Sequence, residues 1–143
     1  MICPHCGQFI ENSLHKALKG IQTYPPISIT NVDYVLEVGN KITAIIEEKH
    51  CKRHIGKTFQ LITLKRIAKA VNAPLLVVFV NDQAEDVTVY ELDLTKKLPA
   101  TTFYSFENHD PIFIGDFVEF RAWILENLVY APILGQNNGL RRW

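Results

Sequence analysis

Apolar positions repeat along this chain with two periods, and the switches between them mark the elements. From Phe9 the spacing is helical: Phe9, Ile10, Leu14, Ala17, Leu18 and Ile21 recur at intervals of three or four, which predicts a helix stopping near Gly20. Tyr24-Pro25-Pro26 reads as a connector, because proline cannot continue a helix and restricts the residue before it. Two strand-like runs follow, Val32–Val38 and Lys41–Lys49, rich in β-branched residues and separated by Gly39-Asn40. That pair is a two-residue turn signal, so the runs form a β-hairpin. His50 to Lys57 is basic and reads as loop. Phe59 to Val71 returns to helical spacing, with Lys65, Arg66 and Lys69 outside the apolar face, and Asn72-Ala73-Pro74 ends it. Leu75–Val80 is a continuous apolar run, the pattern of a strand buried on both faces. Asp82–Asp86 is a polar turn, Val87–Leu92 another strand, and 93–111 reads as irregular. A last helix, Phe117–Leu128, starts behind Asp116 as its cap. The tail 135–143 is polar and ends Leu-Arg-Arg-Trp.

A helix leading from one strand to a buried strand implies parallel pairing. The expected fold is therefore α/β, a mixed central sheet of about four to five strands flanked by helices. With 143 residues, 48% hydrophobic and 21% charged, the chain has the composition of one globular domain, and a disordered or fibrous chain is excluded. Fifteen basic and fifteen acidic residues cancel, which removes a strongly basic nucleic-acid binder but leaves room for a local basic edge. No apolar run reaches the roughly 18 residues of a membrane span. The first residues lack the basic-then-apolar pattern of a signal peptide, so an intracellular location is expected.

The hairpin carries the strongest chemistry. Glu47 and Lys49, two apart in a strand, share a face, while Glu48 points the other way. A tight turn at Gly39-Asn40 pairs Val38 with Lys41 and sets Asp33 opposite Ile46, next to Glu47, unless a bulge shifts the register by one. Two carboxylates and an ammonium then meet at one end of the hairpin. Hard oxygen donors on a rigid hairpin suit Mg²⁺ or Mn²⁺, a divalent ion makes its water more acidic, and Lys49 can orient that water or neutralise charge developing on a phosphate. A solvated rim of ion pairs is the plainer reading of the same residues.

The order helix, Asp-bearing strand, Glu-x-Lys strand, helix and further strand resembles the PD-(D/E)XK nuclease superfamily, which includes the archaeal Holliday-junction resolvases. The resemblance spans about residues 8–92 and implies a restriction-endonuclease-like core. Asp33 matches the family acid, with Val32 where proline is common, and Glu47-Glu48-Lys49 matches the (Glu/Asp)-x-Lys element. Ile27-Ser28-Ile29 stands where the first meander strand is expected. By the same resemblance Glu11 would add an acid from the first helix, and Gln60 matches a glutamine some branches carry at the start of the next. The implied activity is metal-dependent hydrolysis of DNA phosphodiester bonds, catalysed by Asp33, Glu47, Lys49, Glu11 and Gln60, with Asp33 and Glu47 holding Mg²⁺.

Cys3-Pro4-His5-Cys6 and Cys51-Lys52-Arg53-His54 are halves of a candidate structural zinc site, with Cys3, Cys6, Cys51 and His54 as ligands and His5 and His50 as competitors. Glu11 at the hairpin site would leave Cys6 about 7 Å away along a helix, and Cys51 follows Lys49 by two residues. Residues 1–7 with 50–54 thus form a candidate zinc segment, 8–92 the core and 93–143 a C-terminal extension. A buried free thiol at Cys51 and a redox pair at Cys3 and Cys6 stay open. Lys49, Lys52, Arg53, His54 and Lys57, with Lys65, Arg66 and Lys69, offer a basic edge to DNA; a solvated helix face is the alternative. Arg141-Arg142-Trp143 could add backbone and stacking contacts, a frayed terminus being the plainer reading. Phe117, Phe120, Trp123, Ile124 and Leu128 are core or dimer surface, and a homodimer would bring two sites to two strands. The competing functional reading is a non-catalytic zinc-containing module that binds nucleic acid or protein.

Overall fold

The computed structural model describes residues 30–50 and 55–131, and Leu18, which is helical. Packing divides the chain into two compact units, Met1–Asn31 and Val32–Trp143, and every element below belongs to the second. The rest of the expected first helix, the Tyr24–Pro26 connector, the strand at 27–29 and the tail at 135–143 lie outside the described residues.

The second unit is α/β. Five strands form a mixed sheet in the order β1-β2-β4-β5-β7: β1 (Tyr34–Val38), β2 (Lys41–Lys49), β4 (Leu75–Asn81), β5 (Asp86–Leu92) and β7 (Phe113–Asp116). β3 (Ile55–Lys57) and β6 (Phe103–Ser105) pair separately, antiparallel to each other. β1 and β2 form the expected hairpin, with Gly39 at φ +62°, the left-handed conformation glycine adopts without a Cβ penalty. β2 lies parallel to β4, joined through α1 (Thr58–Val71), and β4 lies antiparallel to β5. The β4–β5 turn is fixed by Asn81, whose Oδ1 accepts from the backbone of Gln83 and Ala84 at 3.1 and 3.2 Å.

Each face of the sheet holds its own core. Ile45, Val77, Phe79 and Tyr90 face α1, where Leu61, Leu64 and Ala68 are buried. Ala44, Leu76, Val78, Val87 and Val89 face the other way, against Leu128. Residues from Leu75 to Phe79 are all buried, as a central strand covered on both sides requires. Helix α1 ends at Asn72 in the left-handed conformation (φ 56°), its amide bonding back to Ala68 and Lys69. At the other end Lys57 supplies no side-chain cap; the free amide of Thr58 finds the carbonyl of Thr102 at 3.1 Å.

The structure departs from the sequence reading at four places. The basic loop at 50–57 contains β3, and the irregular 93–111 contains β6; each is three residues long and holds because the other pairs with it. β7 has no counterpart in the periodicity because its apolar run is only Ile112–Ile114, bounded by Pro111 and Gly115. The last helix is α-helical only over α2 (Phe117–Ile124) and continues as a π-helical turn, Leu125–Tyr130. Its start matches expectation: Asp116 Oδ1 accepts from the Glu119 amide at 2.8 Å while Glu119 Oε1 accepts from the Asp116 amide at 3.0 Å, a reciprocal capping box. No helix among the described residues is long and apolar enough to cross a membrane.

Candidate active site at the end of β2

The hairpin register sets the site. Near the turn Val38 faces Lys41 and Glu37 faces Ile42, as a two-residue turn demands. Beyond that Leu36 faces Ala44, so Thr43 is an extra residue in β2. This bulge advances the pairing by one, and Tyr34, rather than Asp33, faces Ile46. Asp33 therefore comes to the level of Glu47 and Glu48, and its Oδ2 accepts from the Glu48 amide at 2.7 Å. The carboxylate takes the place of a further backbone rung where β1 gives out.

Alternation along β2 then sorts the side chains. Glu47 and Lys49 point to the α1 side, following Ile45 inward, and their parallel neighbours on β4 are Val77 and Phe79. Lys49 Nζ lies 3.4 Å from Glu47 Oε2 and donates to Gln60 Oε1 at 3.3 Å. Gln60 stands one helical turn before Leu64, on the stripe of α1 that packs on the sheet. Four of the five catalytic candidates are thus described, and Asp33, Glu47, Lys49 and Gln60 meet at one end of β2. Glu11 lies outside the described residues.

Glu47 is the unusual member. Its side chain is only 2% exposed, and one carboxylate oxygen, Oε1, is buried with no hydrogen-bond partner. Burial first, then a side-chain hydrogen bond and charge repulsion from Asp33, raise its pKa from 4.5 to about 7, with the Lys49 ammonium offsetting part of the rise. A buried acceptor with no donor costs on the order of 1–3 kcal/mol, and native proteins keep few such groups without a use for them. Two oxygen donors at one point, one of them orphaned, with an ammonium and an amide alongside, form a donor set fit for a hard divalent cation. Among the described residues, no three His, Cys, Asp or Glu side chains gather into a metal-ligating group; a magnesium ion needs only one or two carboxylates and fills the rest of its shell with water and phosphate.

The opposite face of the same strand end carries a second polar cluster, which the sequence reading did not find. Glu48 Oε1 accepts from the Tyr34 hydroxyl at 2.9 Å, and Glu48 Oε2 is paired with His50 Nε2. His50 Nδ1 meets Asp82 Oδ2 at 2.7 Å. Both ring nitrogens of His50, named above as a competing zinc ligand, are thus engaged by carboxylates, which raise its pKa. The only hint in the sequence is the two-residue spacing of Glu48 and His50; Tyr34 and Asp82 join them through strand pairing alone. The cluster borders an apolar groove of about 460 Å³ between the sheet and α2, lined by Val35, Ile46, Val78 and Phe120 among others.

The zinc candidates Cys3, Cys6, Cys51 and His54 lie outside the described residues, as do His5, Lys52, Arg53 and the terminal Arg141-Arg142-Trp143. Of the basic residues that are described, Lys57, Arg66 and Lys69 are exposed, and Lys65 Nζ donates to the carbonyl of Lys96. No protein-family model, curated protein or solved structure matches the chain.

Proposed function

We propose that this chain is a metal-dependent nuclease with a restriction-endonuclease-like core, hydrolysing phosphodiester bonds in DNA. One observation carries the reading: the buried, half-unpartnered Glu47 sits beside Asp33, Lys49 and Gln60 on the hairpin–helix–parallel strand layout that the PD-(D/E)XK resemblance implies. Asp33 and Glu47 would hold Mg²⁺ or Mn²⁺, which supplies, when bound, an acidified water and charge neutralisation. The remaining work falls to side chains. Lys49 turns from Glu47 toward the phosphate and stabilises the charge that grows on it. Gln60 holds the ammonium in place meanwhile, and the Glu48 amide keeps the Asp33 carboxylate fixed. Exposed Lys57, Arg66 and Lys69 would take phosphates on either side of the cut.

Zinc on Cys3, Cys6, Cys51 and His54 would be structural. A homodimer would form through the exposed apolar side chains of α2 and its neighbours, Ile114, Phe117, Val118 and Leu125. A non-catalytic binding module draws on a different fact: Lys49 is already satisfied by Glu47 and Gln60, as in a structural ion pair. The deciding experiment incubates a panel of labelled DNAs, a four-way junction included, with purified protein and Mg²⁺ or Mn²⁺, beside elemental analysis for zinc. The nuclease reading expects cleavage that disappears in Asp33→Ala and Lys49→Ala; cleavage unchanged in both variants would overturn it.

A further inference from the structure

We infer that Tyr34, His50 and Asp82 are positioning residues for the Asp33–Glu47 carboxylate pair, acting through Glu48 from the opposite face of the sheet. The inference rests on the metal-binding reading of that pair. Its basis is a continuous chain of contacts: Asp82 to His50 at 2.7 Å, His50 to Glu48, Tyr34 to Glu48 at 2.9 Å, and the Glu48 amide to Asp33 at 2.7 Å.

Glu48 is the hub because a strand sends neighbouring side chains to opposite faces. Its backbone cannot rotate without turning Glu47 and Lys49 with it. The residues that hold its side chain on one face therefore set the direction of the carboxylate and the ammonium on the other. The β1–β2 ladder stops at the Tyr34–Ile46 pair, and no ladder pair ties Asp33 to β2. What fixes Asp33 is its own bond to the Glu48 amide, and the next residue, Tyr34, is pinned to the Glu48 side chain. His50 and Asp82 tie this end of β2 to the end of β4, beyond the last β2–β4 pair at Lys49 and Phe79. The cluster thus supplies cross-strand links where the backbone ladder stops. Partners one step behind a metal ligand commonly carry 10- to 100-fold in metal affinity.

The test is Mn²⁺ titration of the full-length protein, read by the electron paramagnetic resonance of free Mn²⁺, together with hydrogen exchange at the Glu48 amide in metal-free protein. Tyr34→Phe and Asp82→Asn, at positions further back from Asp33 than its direct partner, should each weaken Mn²⁺ binding several-fold, less than the roughly ten-fold of a direct partner, and speed exchange at the Glu48 amide, with Tm close to that of the parent chain. Asp82→Glu, which keeps the carboxylate, should restore both. Asp33→Asn and Glu47→Gln test the underlying reading and should abolish Mn²⁺ binding. If those two abolish binding while Tyr34→Phe and Asp82→Asn bind like the parent, the positioning role is wrong and the metal site stands. If the parent does not bind Mn²⁺, or Asp33→Asn and Glu47→Gln bind it equally well, both fall. Unchanged exchange at Glu48 in Tyr34→Phe and Asp82→Asn overturns the positioning role by itself, whatever the metal does.

Discussion

The two faces at the end of β2 hold similar chemistry in opposite solvent environments. On the α1 side Glu47 is 2% exposed, has one acceptor without a partner, and meets a half-buried lysine. On the other side Glu48 is 29% exposed and has both oxygens bonded, while His50 and Asp82 are 49% and 71% exposed. Water screens the second cluster, so its ion pairs contribute little to stability. It cannot do the same for the first, where charge is costly and an orphaned oxygen remains. The lesson is that one strand separates a group the fold would stabilise by neutralising from a group it merely ties down. Buried, strained electrostatics of the first kind are where functional sites concentrate.

The largest effect that would sharpen this contrast is in activity. Lys49→Ala and Asp33→Ala should each lower divalent-dependent DNA cleavage at least ~100-fold, the size of effect typical of losing one electrostatic stabiliser. Glu48→Gln, at the same level of the sheet, should lower it far less. Single-turnover rates at one Mn²⁺ concentration that saturates the parent measure this, and equal losses on both faces would break the contrast.

Next in size is the pH dependence of stability. The Glu47 carboxyl has a pKa raised from 4.5 to about 7 by burial first and by Asp33 second. The folded chain therefore holds a proton that the unfolded chain releases, and stability falls as pH rises between about 4.5 and 7. Glu47→Gln removes that fall. It should leave Tm nearly unchanged at pH 5 and raise it at pH 8, by an amount corresponding to no more than about 3 kcal/mol if the whole shift is expressed. Thermal melts across that range in chelator check it; a variant less stable than the parent at pH 8 would show that the Lys49 pairing outweighs the burial cost. If Asp33 and Glu47 hold the ion as proposed, metal binding shares the linkage, because the proton on Glu47 must leave. Mn²⁺ affinity should fall towards ten-fold for each pH unit below about 7, measured by titration calorimetry in buffers of differing ionisation heat.

How much of this was legible in the sequence follows from which interactions are local. The hairpin, α1 with its Asn72 stop, the buried β4 and the Asp116 cap all rest on turn residues, caps and periodicity within a few positions of one another. The face shared by Glu47 and Lys49 follows from strand alternation, and Gln60 from its place near the start of α1. The register did not follow. Gly39-Asn40 correctly sets the first pairs, but Thr43 is inserted without any break in the run Ile42–Ile46, and only the structure shows Asp33 one rung further on. The short strands β3, β6 and β7 exist because partners distant in sequence pair with them, which no local pattern reports. The cluster of Tyr34, Glu48, His50 and Asp82 was hidden for the same reason, as its members come from β1, β2, the residue after β2 and the turn after β4.

The smallest expected effect lies on that exposed face, and its sign distinguishes the two sides most cleanly. Glu48 and Asp82 both favour the protonated His50 ring and raise its pKa. A histidine so raised stabilises the folded chain fully below its unfolded value, near 6.5, and loses that contribution as pH climbs through the folded value. His50→Gln should therefore lower Tm slightly at pH 5.5 and converge with the parent at pH 9, with the difference shrinking further in 0.5 M salt because the pair is open to solvent. Glu47→Gln runs the other way: no cost at low pH, a gain at high pH, and little response to salt because its surroundings exclude water. Melts of both variants over pH 5–9, at low and high salt, place the two curves side by side. If His50→Gln were as costly as a core truncation, or insensitive to salt, the outer cluster would be part of the packed structure, and the division of labour between the faces would collapse.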